Sequence, residues 1–130
     1  MKIHLSAICG TAMASLAGLL REQGHEVTGS DQDVYPPMST QLEALGIPIR
    51  SPYAEENVPN DADLVVVGNA LSRGNPEVEA VLDRRQRYTS APALIAEEFL
   101  RPRTSLVVAG THGKTTTTSL LAFLLHRAGL

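Results

Sequence analysis

Apolar residues fall in short runs separated by segments of helical length. Ile3 to Ile8 reads as a first strand, and Ala12 to Gln23 as a helix ended by Gly24. Val27 to Gly29 predicts a short second strand, closed by Ser30-Asp31. Pro37 to Leu45 predicts a short helix stopped by Gly46, followed by an extended Ile47 to Arg50. Leu64 to Val67 is wholly apolar and β-branched apart from its leucine, as suits a strand buried on both faces of a parallel sheet. Asn75-Pro76-Glu77 starts a helix with a cap, a proline at the first position and an early acid. That helix runs to about Arg85; Tyr88-Thr89 predicts a further strand and Ala93 to Leu100 a further helix. Alternation of this kind predicts an α/β fold, a parallel sheet with flanking helices.

A boundary is expected near Arg101-Pro102-Arg103. Beyond it, Leu106 to Ala109 predicts another buried strand, then a tight loop and an apolar helix from about Lys114 to His126. Residues 104–130 thus read as the opening of a second domain, after a first domain over 1–103. Without a sheet to cover it, the apolar face of Leu120 to Leu125 is expected to fold back on the first domain or to pair with a second copy.

Length and charge narrow the function. At 130 residues the chain suits one domain, and 11 basic against 14 acidic residues give a net charge of −3. With no basic run, nucleic acid and anionic membrane are poor partners. One cysteine permits no internal disulfide and no cysteine-based metal frame, which suits the reducing cytosol. No apolar run approaches the roughly 18 residues that span a bilayer. Gly10 and Thr11 break the first apolar stretch too early for a secretory leader. A soluble, cytoplasmic protein is expected.

Two strand-to-helix loops carry candidate chemistry. The first, Ala7-Ile8-Cys9-Gly10-Thr11-Ala12-Met13-Ala14, lets backbone N–H groups approach a phosphate at a helix N-terminus bearing about half a positive charge. Asp31 follows Gly10 at the spacing where dinucleotide-binding units place the acid that reads a ribose. The glycine pattern is poor, since alanines stand where further glycines belong. Asp31 as a plain turn cap is the competing reading, and Cys9 and Met13 equally suit the core. His4 reads as a structural histidine and His25 as solvent-facing. An NAD-binding module is one function this loop allows.

The second loop is stronger. Leu106-Val107-Val108-Ala109-Gly110-Thr111-His112-Gly113-Lys114-Thr115-Thr116-Thr117 is a strand, a small-residue loop, Gly-Lys-Thr and a helix. Gly113 lets successive N–H groups face one anion, Lys114 offers a charge to the β- and γ-phosphates, and the Thr115 hydroxyl suits Mg²⁺. The strict pattern wants glycine where Val108 stands, so Gly110 makes a shorter variant.

Gly110-Thr111-His112-Gly113-Lys114-Thr115-Thr116 resembles the phosphate loop of the Mur ligases, the ATP-dependent amide-forming enzymes of bacterial cell-wall synthesis. Ala7 to Ala14, Val27-Thr28-Gly29-Ser30-Asp31, and Val66 to Leu71 with Asn75-Pro76-Glu77 resemble the segments with which that family holds a UDP-sugar. Tyr35 to Thr40 and Gly68 to Pro76 look like the branch that joins a tripeptide to UDP-N-acetylmuramate in peptidoglycan recycling; the branch using free L-alanine is the alternative. The resemblance implies a Rossmann-like first domain and the start of a central ATPase domain. It implies Cys9, Gly10, Thr11, Ala12, Met13, Ser30 and Asp31 on the UDP-sugar, with Asn69, Ala70, Leu71, Arg73 and Asn75 closing over it. Gly110 to Thr116 would hold ATP, with Lys114 catalytic and Thr115 on Mg²⁺. His112 would touch the triphosphate or brace its loop, and Arg73 would meet a phosphate or solvent. The implied reaction runs through an acyl phosphate on the muramic carboxylate, attacked by the tripeptide amine. No acid follows Thr117 to complete a metal site, so this chain alone is expected to bind the UDP-sugar without making an amide.

Overall fold

The computed structural model describes all 130 residues. Five strands, β1 (Lys2–Ser6), β2 (Glu26–Ser30), β3 (Ile49–Arg50), β4 (Leu64–Val67) and β5 (Tyr88–Ser90), form one sheet in the order β3-β2-β1-β4-β5. Every neighbouring pair is parallel, with Ser6 at the end of β1 level with Ser30 on one side and Val67 on the other. The chain builds outward from β1 to β3 and then returns across β1 to start β4. Right-handed crossovers therefore lay helices on both faces, the Rossmann-like arrangement expected.

The two faces differ in chemistry. Ile3, Leu5, Val27, Leu64 and Val66 pack against Met13, Ala14, Leu16, Ala17 and Leu20 of helix α1 (Thr11–Glu22), with Leu42 of α2 (Met38–Ala44) closing the same cluster. Opposite, Val65 meets Val58 and Val81, the latter on α3 (Pro76–Asp83). Strand alternation puts His4, Ser6, Thr28 and Ser30 on this second face. It is a polar floor under an apolar roof.

Local rules explain most boundaries. Gly24 and Gly46 take φ +86° and +66° just past α1 and α2, conformations glycine adopts without strain. The Asn75 carboxamide oxygen accepts from the N–H groups of Glu77 (3.0 Å) and Val78 (3.4 Å), with Pro76 as the first helical residue. Two elements differ from expectation. Strand β1 stops at Ser6 because Ala7 turns to φ +66°; Ile8 then dives back into the core, its N–H donating to the Ser30 carbonyl at 3.0 Å. The helix expected from Ala93 begins instead at Ala91, as α4 (Ala91–Ile95), because the Ser90 hydroxyl caps it. It then widens into a π-helical turn over Ala96–Leu100.

The end of the chain differs more. Leu106 to Ala109 forms no strand, and Leu106 and Val107 are 60% and 84% exposed. A strand exists only as part of a ladder, and no other segment of the chain pairs with this one. Helix α5 (Lys114–Arg127) forms behind Gly113, which takes φ +75°. No residue of α5 is buried, so the expected fold-back onto the first domain does not occur.

Candidate functional site

In a sheet of this order, the direction in which strands are added reverses between the parallel neighbours β1 and β4, and loops leaving their carboxyl ends splay apart to make a crevice. The chain has a 510 Å³ cavity there, within the range of small-molecule sites. Ala7 and Cys9 to Met13 form one wall, Gly68 to Ala70 a second, and Asp31, Asp33, Tyr35 and Tyr53 a third. Ala91, Pro92 and Ile95 close it from the side of α4.

The first loop shapes that wall tightly. A methyl group on Gly68 would stand 2.7 Å from the Ala7 side chain and 2.9 Å from the Ser6 carbonyl, so only glycine lets the two loops approach. Gly10 is the N-cap of α1 but brings no side chain, and the first turn holds no acid. The N–H groups of Thr11, Ala12 and Met13 have no acceptor within the chain. The cavity wall contains no lysine or arginine, so its attraction for an anion comes from these N–H groups and the helix dipole.

Asp31 unites the two readings the sequence left open. Its Oδ2 accepts from the Cys9 N–H at 2.8 Å, which pins the phosphate-type loop to the end of β2. Its Oδ1 accepts from the Tyr53 hydroxyl at 3.2 Å and, as in a turn cap, from the Asp33 N–H at 3.4 Å. The same carboxylate faces the cavity. Burial, reinforced by the Asp31 charge, pushes the Tyr53 hydroxyl up to about 12, so it stays a donor to Asp31. Burial and the same charge raise the Cys9 thiol, which is neutral and no nucleophile.

Of the residues assigned to the sugar nucleotide, Cys9, Gly10, Thr11, Ala12, Met13, Asp31, Asn69 and Ala70 meet at the cavity. Ser30, Leu71, Arg73 and Asn75 do not line it. Ser30 is fully buried beneath the floor, and Asn75 is occupied as the cap of α3. Arg73 is 79% exposed and donates to Glu79 Oε1 at 2.9 Å. Tyr53, Asp33 and the Ala91–Pro92–Ile95 edge escaped sequence reasoning, because no fixed spacing ties them to a glycine loop. His4 is the structural histidine expected, fully buried, with Thr28 Oγ1 at 2.9 Å and Ser30 Oγ at 3.3 Å. His25 is half-buried rather than solvent-facing, its Nδ1 3.4 Å from the Met1 amine.

The second loop is a partial site. Lys114 Nζ donates to the Gly110 carbonyl at 3.0 Å, holding the turn together, and His112 Nδ1 lies 3.1 Å from Thr111 Oγ1. Residues 110–116 are all exposed. Thr115 is the one metal-type ligand of the assigned set, and residues 104–130 contain no carboxylate side chain to join it. No three His, Cys, Asp or Glu side chains cluster to hold a metal, and no helix is long and apolar enough to cross a membrane.

Comparison with known proteins agrees with this geometry. A family model described as "Mur ligase family, catalytic domain" matches residues 2–101. The chain is 51% identical over 129 residues to the UDP-N-acetylmuramate–L-alanyl-γ-D-glutamyl-meso-2,6-diaminoheptandioate ligase of Escherichia coli, covering 99% of this chain and 28% of that protein. Among solved structures, a murein peptide ligase from Psychrobacter arcticus superposes with a TM-score of 0.95 at 54% identity, over 99% of this chain and 27% of the other. A UDP-N-acetylmuramate–alanine ligase from Thermotoga maritima gives 0.88 at 32% identity, over 97% and 29%. The chain thus spans a little over a quarter of the length of these relatives. A switch-point cavity beside an uncapped helix, on a backbone shared throughout its length with these enzymes, leaves one assignment: the chain belongs to the Mur ligase family.

Proposed function

We propose that the cavity between β1 and β4 binds UDP-N-acetylmuramate. Its diphosphate would take hydrogen bonds from the free N–H groups of Thr11, Ala12 and Met13, and Asp31 would face the nucleoside. The observation that carries this reading is the uncapped first turn of α1 opening into a cavity whose other wall is Asp31. A diphosphate supplies the acceptors that those N–H groups lack. The whole protein would then be a cytoplasmic, ATP-dependent ligase that joins UDP-N-acetylmuramate to the tripeptide L-alanyl-γ-D-glutamyl-meso-diaminopimelate in peptidoglycan recycling. The tripeptide is favoured over free L-alanine as acceptor because identity falls from 54% to 32% between the two structural neighbours named for those substrates.

Residues 1–103 would form the UDP-sugar domain and 104–130 the start of the ATPase domain. Lys114 and the N–H groups of Gly110 to Thr116 would contact ATP, and Thr115 one Mg²⁺ ligand position. The residues present do not complete that metal site, so phosphoryl transfer requires acids that 104–130 do not contain.

Thermal shift with UDP-N-acetylmuramate, NAD and Mg-ATP in parallel tests the reading. A ligand that binds only the folded form, at about 100 times its Kd, adds roughly 2.7 kcal/mol of stability. Stabilisation by the UDP-sugar is the expected result. Stabilisation by NAD alone would replace the reading with a dinucleotide sensor, and stabilisation by none would leave an interaction domain.

A further inference from the structure

Glu77 is the one fully buried acid of the chain, and nothing above gives it a task. The sequence makes it an ordinary first-turn acid of α3, but the helix turns its side chain inward, under the sheet. There Oε2 accepts from the hydroxyls of Ser6 at 2.6 Å and Ser30 at 2.5 Å, and Oε1 accepts from the Asn57 carboxamide at 3.0 Å. His4 Nε2 stands 3.9 Å away. Each contact leads to a piece of the cavity. Ser6 is the last residue before the phosphate-type loop, and Ser30 the last before Asp31. Asn57 donates also to the Pro52 carbonyl at 2.8 Å, beside Tyr53. Tyr53 in turn donates to Asp31, and Asp31 accepts from the Cys9 N–H, so the chain of contacts closes on itself.

From this closed circuit we infer that Glu77 is a positioning residue for the sugar-nucleotide cavity, one carboxylate setting the spacing of the loop at Gly10, of Asp31 and of Tyr53. It touches no ligand. A purely apolar residue would fill the same space, yet it could not tie three separate segments to one point. The carboxylate can, because it accepts on both oxygens and in several directions at once. Glutamine keeps the shape but not the charge: with its oxygen on Asn57, its NH₂ would face the two serine hydroxyls, which must then turn from donors into acceptors. The inference rests on the UDP-N-acetylmuramate reading of the cavity.

Isothermal titration of the 130-residue chain with UDP-N-acetylmuramate tests it, at a temperature where circular dichroism shows each variant folded. Glu77→Gln is expected to raise Kd about tenfold or more, the loss of one charge-assisted bond. Val81→Ala, which trims the neighbouring apolar cluster and spares the circuit, is expected to lower the melting temperature by several degrees and leave Kd unchanged. Should Glu77→Gln fail to fold, Ser6→Ala and Ser30→Ala each cut one tether and are expected to raise Kd about threefold. A wild-type Kd in folded Glu77→Gln or in both serine variants overturns the inference. So does an equal loss of affinity in Val81→Ala, which would make the effect one of stability alone. Absence of any binding by the wild type overturns the functional reading first, and this inference with it.

Discussion

The two glycine loops of this chain rank in opposite orders by motif and by architecture. The loop at Gly110 to Thr116 has the clearer pattern, yet every residue of it is exposed and the helix behind it buries nothing. The loop at Ala7 to Met13 keeps a single glycine, yet it forms one wall of a cavity built from several loops and is pinned by Asp31. A motif records what the backbone must do near a ligand. Completeness of a site depends on what packs around it, and on that count the first loop is far ahead.

Hydrogen exchange should show the contrast at its widest. Amides of β1 and β4 lie at the centre of the sheet and should exchange only on global unfolding, whereas those of α5 should open locally at almost no cost. In the 130-residue chain the difference should approach the whole unfolding free energy, of the order of 5–15 kcal/mol. Equal protection of α5 and β1 would show that α5 is held by contacts absent from this structure.

Acid should unfold the first region in a defined window. Burial opposes the charge of Glu77, but the His4 ring 3.9 Å away and the hydrogen-bond donors Ser30, Ser6 and Asn57 outweigh burial and lower its carboxyl from 4.5 to about 2. A depressed folded-state value means that the stabilisation is complete above about pH 4.5 and is lost as the pH falls towards 2. The loss should be on the order of 3 kcal/mol. Urea denaturation between pH 6 and pH 3 should register about 2 kcal/mol of it, the rest falling below pH 3, and Glu77→Gln should flatten the slope; an unchanged slope would assign the acid sensitivity to other carboxylates.

Gly68→Ala comes next. The added methyl would meet Ala7 and the Ser6 carbonyl below 3 Å, an overpacking that costs about 1–3 kcal/mol. It should also distort the cavity enough to weaken UDP-N-acetylmuramate binding in the same titration. In contrast, Tyr53→Phe removes one hydrogen bond to Asp31 and should cost about 1 kcal/mol in thermal denaturation, with a modest rise in Kd. Smallest of all, Lys114→Ala should change stability by less than about 0.5 kcal/mol, because the side chain is exposed and only bridges its own loop. Its affinity for UDP-N-acetylmuramate should stay at the wild-type value. A large effect of Lys114→Ala on that affinity would couple the two loops and erase the contrast drawn above.

Local order of the fold was legible residue by residue. Gly24, Gly46 and the Asn75-Pro76 start each set a helix boundary through backbone constraints that act over a few residues. Leu64 to Val67 announced a doubly covered central strand, and β4 is one. Leu106 to Ala109 carried the same signal and formed nothing, because a ladder needs a neighbour and composition cannot supply one. Half of the cavity was legible too: Gly10 to Met13 and Asp31 follow from spacing along the chain. Tyr53 was not, since it reaches the site from beyond β3 at the edge of the sheet, and nothing in the Asp31–Asp33 spacing marks Asp33 as part of a wall.

By itself, then, the order of residues determined where strands and helices start and stop, and which loop backbones could face an anion, since both depend on interactions within a few residues. The tertiary structure alone decided that Glu77 is a buried tether rather than a surface acid, that Arg73 points to solvent, and that Asp31 serves its turn and the cavity together. The roles of Glu77 and Asp31 depend on contacts between residues 20 to 71 positions apart, brought together only when the sheet closes.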